Sequence, residues 1–286
     1  MISISVVIVT YNTGAIVLDC IHSLKQSNNV DLEIIVVDNN SSDDTCEQIE
    51  QVHPDIKVIH NTVNNGFGHA NNIGVKSAVH DIIALINPDL TVMPDTLLQL
   101  GEYLMDHPDV GLVAPRTLEA NGDISFTARP EYTVWYILSN YLWLGRLKPE
   151  WEFGSAYSVN LLSQEPIVVN WVQGSCMTMR KSVYAEINGF DENFFLYVED
   201  ADICRTLRDH NYKVIYLPSI TVTHIGGTST ANFHEIRVRG YHISPLYYFR
   251  KRHNKSAVRL LKLIFTIELG AKISIRYFRN LIQFSS

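Results

Sequence analysis

At 286 residues, with 46% hydrophobic and 19% charged content, the chain has an ordinary globular composition and enough length for one large α/β domain with appendages. No apolar run reaches the roughly 18 residues that span a bilayer, and no basic stretch with a small-residue cleavage site opens the chain. A membrane span and a secretion signal are therefore not expected. From Arg237 onward, eleven Lys and Arg face the single acid Glu268, a balance of +10, which leaves −17 on residues 1–236. This asymmetry predicts an acidic body and a basic tail with separate tasks. Nucleic acid is an unsuitable partner, because the basic charge lies on a helical tail rather than on an aromatic-interleaved reading surface. Cys20, Cys46, Cys176 and Cys204 lack CxxC spacing and read as buried, reduced thiols.

In chain order, Ile2–Thr10 is a strand that becomes fully apolar, broken by Tyr11-Asn12-Thr13-Gly14. Residues 15–27 carry a helical apolar stripe. Leu32–Val37 is a second buried strand, closed by Asp38-Asn39-Asn40-Ser41-Ser42, after which Ser42 or Asp43 can cap a helix over 44–51. Ile56–His60 is a short third strand, and Asn64–Gly74 a polar, glycine-rich loop running into a helix. Ile82–Ile86 is apolar without alternation, as in a parallel strand covered on both faces. Pro88 must end it. Pro94 then opens a helix to about His107, and Val110–Ala114 is a further strand. The alternation predicts a mostly parallel sheet of βαβ units, an α/β fold.

After Pro115 the rhythm changes. Residues 119–165 are irregular and aromatic-rich, from Phe126 and Tyr132 through Trp143, Trp151, Phe153 and Tyr157. They read as an insert, either lining an acceptor groove or forming a packed lid. Strands follow at Ile167–Trp171 and Ser175–Arg180, a short helix at Lys181–Ile187, and a helix at Val198–His210. Two strands, Lys213–Leu217 and Ile220–Thr223, flank Pro218. From Tyr241 the chain is helical. Lys255, Arg259 and Lys262, then Lys272, Arg276 and Arg279, recur at i, i+4, i+7 among Leu and Ile residues. That pattern suits an anionic membrane surface; a helix pair packed on the body or in a dimer is the alternative.

Parallel strands deliver their C-terminal ends to one crevice, where open α/β sheets bind ligands. Thr10-Tyr11-Asn12, Asp38 to Asn40, Asn64 to Asn72, and Asn87-Pro88-Asp89 all follow strands. Each alone is ordinary turn chemistry. Together they make a polar edge able to recognise a base, a ribose and phosphates. Gly66-Phe67-Gly68-His69-Ala70-Asn71 lacks the last glycine of a dinucleotide fingerprint and follows the third strand, and no GxxxxGK[ST] is present. A nicotinamide dehydrogenase and a P-loop enzyme are thereby excluded. Glu199, Asp200 and Asp202 crowd a helix start, either as dipole-stabilised caps or as a general base tuned by its neighbours. His224 is a possible ligand in an oxygen-rich site, which suits Mg2+ or Mn2+.

Val6-Val7-Ile8-Val9-Thr10-Tyr11-Asn12, Val36-Val37-Asp38-Asn39-Asn40-Ser41-Ser42-Asp43, Asn64-Asn65-Gly66-Phe67, Asn87-Pro88-Asp89 and Gly189-Phe190-Asp191-Glu192 with Glu199-Asp200-Ala201-Asp202 resemble family 2 glycosyltransferases of the GT-A fold. The resemblance covers residues 3–230. Asn87-Pro88-Asp89 with His224-Ile225-Gly226-Gly227 is most similar to the rhamnosyltransferase branch that builds bacterial surface polysaccharides. It implies a nucleoside on Thr10, Tyr11, Asn12 and Asp38, a donor bordered by Asn40, Asn64, Gly66, Asn72 and Asn87, and a divalent cation, Mg2+ or Mn2+, on Asp89 and His224. Asp200 would be the base of an inverting single displacement, with Trp171 at the acceptor site and Glu199 and Asp202 shaping that site or the pKa of Asp200. The family's Asp-x-Asp is here Asn87-Pro88-Asp89, with one carboxylate, which leaves metal dependence open.

The implied donor is dTDP-L-rhamnose, with UDP-galactose or UDP-glucose as alternatives. The implied acceptor is a lipid-linked glycan at the cytoplasmic face of the bacterial inner membrane, with the protein held there peripherally. A non-catalytic sugar-nucleotide-binding protein is the rival class. A nucleotidyltransferase would need a basic glycine-rich loop near the first strand, which is absent. The expected organisation is a GT-A domain over residues 1–236, with a nucleotide half 1–115 and an acceptor half 116–236, and a tail 237–286 that contacts membrane or pairs in a homodimer.

Overall fold

The computed structural model describes residues 1–141, 163–225 and 234–284. The expectations placed on Trp143, Trp151, Phe153, Tyr157 and Gly226-Gly227 lie outside the described residues. The first half runs β1 (Ile2–Thr10), α1 (Ile16–Lys25), β2 (Val30–Asp38), α2 (Thr45–Val52), β3 (Lys57–His60), α3 (Phe67–Ser77) and β4 (Ile82–Ile86). Strand β1 is parallel to both β2 and β4, and β2 is parallel to β3. The apolar run Ile82–Ile86 is buried at all five positions, as two-faced coverage requires. The register pairs Thr10 with Asp38 and Asp38 with His60, so these strand ends finish level at one edge.

Beyond β4 come β5 (Leu90–Val92), α4 (Thr96–Asp106), β6 (Val110–Glu119), β7 (Ile124–Ser125), β8 (Ala128–Arg129), α5 (Val134–Tyr141), β9 (Ile167–Val168), β10 (Trp171–Val172), β11 (Cys176–Arg180), α6 (Lys181–Glu186), α7 (Glu199–Asp209), β12 (Lys213–His224), α8 (His234–Lys251) and α9 (Lys255–Phe284). The main sheet has the order β3-β2-β1-β4-β11-β6-β12-β5. Strand β11 inserts antiparallel between β4 and β6, whereas β6 and β12 are parallel. The sheet is thus parallel through its nucleotide half and mixed beyond.

Three expectations are corrected. The two strands around Pro218 are one strand, β12, whose register against β6 shifts between Leu217 and Thr221. A bulge absorbs Pro218, which has no N–H to give the ladder. The three-residue β5, too short for a periodic signal, pairs antiparallel with β12 and matches His224 to Leu90. The irregular stretch after Pro115 contains β8, which pairs with β10 in a small separate sheet matching Arg129 to Trp171.

Two apolar clusters lie on the faces of the sheet. The smaller in sequence span packs α1, α2 and α4 against the strands. The other includes Trp171, Phe190, Phe194 and, from the tail, Tyr248, Phe249, Ala257, Leu261 and Phe265. The tail is therefore packed into the body through Phe265. Ala257, Leu261 and Phe265, at i, i+4, i+8, form its inner face.

Candidate active site

The strand ends lock together before any ligand is considered. Asp38 is 3% exposed. Its carboxylate accepts hydrogen bonds from Thr10 Oγ1 (3.0 Å), Ser41 Oγ (2.5 Å) and Ser41 N (2.9 Å). Asn12, in the left-handed region at φ 52°, donates its N–H to Ser41 Oγ and accepts from Ser42 N at 2.7 Å. Tyr11 lies between these, half-buried, and Asn40 is exposed at φ 65°. Asn39, to which the sequence reading gave no separate role, donates to the Gly66 carbonyl at 3.1 Å and ties the β2 end to the next loop.

That loop must have glycine. Gly66 sits at φ 95°, and a Cβ there would collide with the Phe195 carbonyl. Asn64 Oδ1 accepts the Gly66 N–H at 3.0 Å, and Phe67 N donates to Phe195 O at 3.1 Å. Asn72, expected beside the donor, is employed otherwise. Its amide donates to Phe190 O and Glu192 Oε1, and its Oδ1 accepts from Tyr184 OH and Phe190 N. Its capacity goes to Tyr184 of α6 and to the Gly189–Glu192 loop.

Asn87 donates its N–H to Ser175 O at 2.9 Å, extending the ladder of β4 with β11, and Leu90 N donates to Asn87 O at 3.3 Å, closing the turn that carries Asp89. Asp89 is 5% exposed. Pairing of β5 with β12 brings His224 Nε2 to 3.0 Å from Asp89 Oδ1. Beyond this ion-pair contact, Asp89 Oδ1 is buried with no further hydrogen-bond partner. The Asp89 carboxylate raises the His224 imidazole above its ordinary value, against partial burial. One carboxylate oxygen and one imidazole nitrogen, with an oxygen left orphaned, fit a divalent cation that also takes ligands from a phosphate. Asp38, Cys46 and His60 also bring ligand-type atoms within 4.8 Å of one another. Burial and the neighbouring Asp38 push the Cys46 thiol up to about 12, and a thiol suits a hard cation such as Mg2+ or Mn2+ less well than the oxygen and imidazole of Asp89 and His224.

The acidic cluster opens α7 after two strained residues. Tyr197 (φ 65°) and Val198 (φ 74°) both adopt the left-handed region, a costly conformation for a β-branched residue. Asp200 Oδ2 accepts the Gly174 N–H at 3.3 Å, and Oδ1 accepts Ala201 N at 2.8 Å. Gly174 packs between Phe67 of the nucleotide loop and Asp200, so the two halves of the site meet across a residue without a side chain. Burial raises the Asp200 carboxyl, partly offset by backbone hydrogen bonds and the charge of Arg129. Glu199, 5% exposed with Oε2 unpartnered, is raised by burial and by the Asp200 charge.

Asp202 is 3% exposed, and Lys251 Nζ (2.6 Å) and Arg252 Nη2 (2.9 Å) from the tail occupy its oxygens. It clamps the tail against the start of α7. Trp171 is 6% exposed, packs edge-on to Tyr132 and Tyr136, and keeps a buried Nε1 without a partner. Its cross-strand neighbour Arg129, whose Nε is likewise unpartnered, was missed because a two-residue strand leaves no pattern.

A polar strand-end edge, a carboxylate–imidazole pair and a buried acid across one glycine define a transferase acting on a nucleotide-activated group. The family model described as "Glycosyl transferase family 2" matches residues 5–187, and the chain belongs to that family of glycosyltransferases. It is 30% identical over 249 residues to the rhamnosyltransferase WbbL of Escherichia coli K12, covering 82% of this chain and 89% of the relative. It is 26% identical over 260 residues to the N-acetylglucosaminyl-diphospho-decaprenol L-rhamnosyltransferase of Mycobacterium tuberculosis, covering 87% and 84%. The fold matches GalNAc-T7 solved with UDP, GalNAc and Mn2+, with TM-score 0.59, 16% identity and coverage of 89% of this chain and 55% of that one. It matches Staphylococcus aureus TarS 1-349 in complex with UDP-GlcNAc with TM-score 0.56, 17% identity and coverage of 90% and 70%. The chain spans 39% of the longer TarS structure.

Proposed function

We propose that this glycosyltransferase moves L-rhamnose from dTDP-L-rhamnose to a lipid-linked glycan, with inversion at the anomeric carbon. The observation that carries the reading is the placement of Asp200 across Gly174 from the nucleotide loop, with Asp89 and His224 at the same sheet edge. The printed activities of the two rhamnosyltransferase relatives support the donor and, for the mycobacterial one, a lipid-linked acceptor. Thr10, Tyr11, Asn12 and Asp38 hold the nucleoside. Asn40, Asn64, Gly66 and Asn87 border the sugar diphosphate. Asp200 takes the proton of the acceptor hydroxyl as its oxygen bonds to C1, and the bond from C1 to the diphosphate oxygen breaks on the opposite side. Glu199, held neutral by burial, keeps a second negative charge away from the base. A divalent cation, Mg2+ or Mn2+, held by Asp89 and His224 would neutralise charge on the departing nucleoside diphosphate.

The outer face of α9 supports a peripheral place at the cytoplasmic face of the inner membrane. Leu260, Leu263 and Ile267 are exposed beside Lys255, Arg259 and Lys262. Among the described residues no helix is long and apolar enough to cross a membrane. The same apolar face could instead pair two copies in a homodimer, which sizing in detergent-free buffer distinguishes. The test of the chemistry is Asp200→Asn with a panel of dTDP- and UDP-sugars. Transfer should fall by about 10²–10⁴-fold while donor binding by calorimetry is unchanged. Retained transfer removes Asp200 as the base, and transfer only from a UDP-sugar removes the rhamnose assignment.

A further inference from the structure

We infer that Arg129 is a phosphate contact beside the base, its guanidinium taking a phosphoryl group carried on the anomeric oxygen of the acceptor sugar. This rests on the reading of the chain as an inverting transferase to a lipid-linked glycan, and it adds the chemistry by which that glycan is joined to its lipid. Arg129 is half-buried, and among the described residues its side chain has no ion pair and no hydrogen bond. Its Nε is enclosed without an acceptor, while the Nη end of the fork stays open. A guanidinium taken out of water is ordinarily paired, because otherwise it loses hydration with nothing in return. The arginines of α7 and of the tail follow that rule. Arg205 and Arg208 face Glu131, and Arg252 faces Asp202 and Asp209. Arg129 has no such carboxylate, so its counter-ion must come from outside the chain.

The ribbon of β8 and β10 aims it. Arg129 stands opposite Trp171, and cross-strand partners project from the same face. Trp171 Nε1 is likewise enclosed without an acceptor, so this face carries two N–H donors that the fold leaves unanswered. Further along the ribbon, Gln173 N donates to Thr127 O at 2.9 Å, and Gly174 N donates to Asp200 Oδ2 at 3.3 Å. The base is therefore hydrogen-bonded to the end of the same ribbon, about 10 Å of extended chain from Trp171. Asp200 directs its oxygens to Gly174 N and Ala201 N and forms no ion pair with Arg129, yet the charge of Arg129 acts on it. The guanidinium is thus close enough to be felt by the base and free to hold something else.

Inversion decides whose phosphate it is. In a single displacement the base and the leaving diphosphate stand on opposite sides of C1, so an anion met on the side of the base is not the leaving group. The reacting hydroxyl of the acceptor lies on Asp200, and the anomeric oxygen of the same sugar lies across its ring. A phosphate there falls one ring beyond the base, on the side from which the charge of Arg129 acts. A planar guanidinium takes phosphate oxygens in pairs, whereas a neutral glycoside at that position would leave the charge unanswered.

The experiment reads binding without turnover, by phosphorus and saturation-transfer NMR on the full chain with its donor site filled by excess UDP or dTDP. The probes are hexose and N-acetylhexosamine 1-phosphates and the matching methyl glycosides, with inorganic phosphate as a separate arm. At least one sugar 1-phosphate should bind more tightly than both its methyl glycoside and inorganic phosphate. Its affinity should fall about tenfold to a hundredfold in Arg129→Gln, as for loss of a charged hydrogen bond. The fall should be smaller in Arg129→Lys, which keeps the charge without the fork. Methyl glycoside and nucleoside diphosphate affinities should be unchanged in both variants, the latter also reporting that each is folded. No sugar 1-phosphate binding to the wild type, or binding unaltered in Arg129→Gln, would overturn the contact. Inorganic phosphate bound as tightly as the sugar phosphate, or a loss confined to the nucleoside diphosphate, would overturn its assignment to the acceptor. Sugar phosphate binding that depends on Arg129 while no nucleotide sugar supports transfer would keep the contact and remove the enzymatic reading instead.

Discussion

Residues 1–115 and 116–236, the proposed nucleotide and acceptor halves, reach their candidate sites by different routes. In the first, parallel strands deliver Thr10, Asp38 and Asn87 to one edge, and local turns finish the work, as in the three hydrogen bonds that Asp38 accepts from Thr10 and Ser41. In the second, Asp200, the proposed base, follows a strained segment that distant elements hold in place. Ser244 Oγ donates to Leu196 O at 2.9 Å, Tyr241 stacks on Tyr197 at 4.6 Å, and Lys251 bridges Asp191 and Asp202. A sheet edge is rigid because its ladders are continuous. A left-handed pair such as Tyr197-Val198 persists only where surrounding contacts over-determine it. The tail thus packs against the segment that leads into Asp200, the proposed base.

The comparison breaks most readily at Asp202. Asp202→Asn leaves Lys251 and Arg252 facing each other without their shared carboxylate and should cost about 3 kcal/mol of stability in urea unfolding. Transfer should fall while donor affinity is retained. Equal loss of both would mean that the halves are not separable in this way. Next comes Gly66→Ala at the junction. The positive φ and the collision with Phe195 O should cost about 1–3 kcal/mol and weaken donor binding as well.

A smaller effect is expected from acid. Burial alone would raise Asp191, but hydrogen bonds from Lys251 and Asn193 hold it down at about 2. Because the folded value lies below the ordinary 3.8, this contribution is present above 3.8 and is lost as pH falls toward 2. Asp191→Asn should flatten the stability profile in that window, and an unchanged slope would show that the tail bridge is not formed. The raised Asp200 carboxyl gives the same sign for activity, at higher pH. Transfer should rise with pH along a limb lying above the ordinary carboxylate range. The smallest change in stability, within about 0.5 kcal/mol, is expected from Leu263→Gln with Ile267→Gln on the exposed face of α9. The pair should nonetheless reduce sedimentation with anionic vesicles, and unchanged sedimentation would refute the membrane face.

Sequence by itself determined the nucleotide half. An unbroken apolar run such as Ile82–Ile86 can be satisfied only by a covered strand, and Pro88 must end it, so Asp89 falls at the edge. The acids at 199, 200 and 202 were visible as a helix start, but their division of labour was not. Only tertiary structure decided that Asp200 faces Gly174 while Asp202 turns to Lys251 and Arg252, partners 49 and 50 residues away. It also decided that His224 meets Asp89 through a three-residue strand, that Asn72 anchors a loop, and that Arg129 stands beside Trp171. These depend on pairings between short or distant segments, which carry no periodicity of their own. The strand ends are fixed by local chemistry, and the base is fixed by what packs behind it.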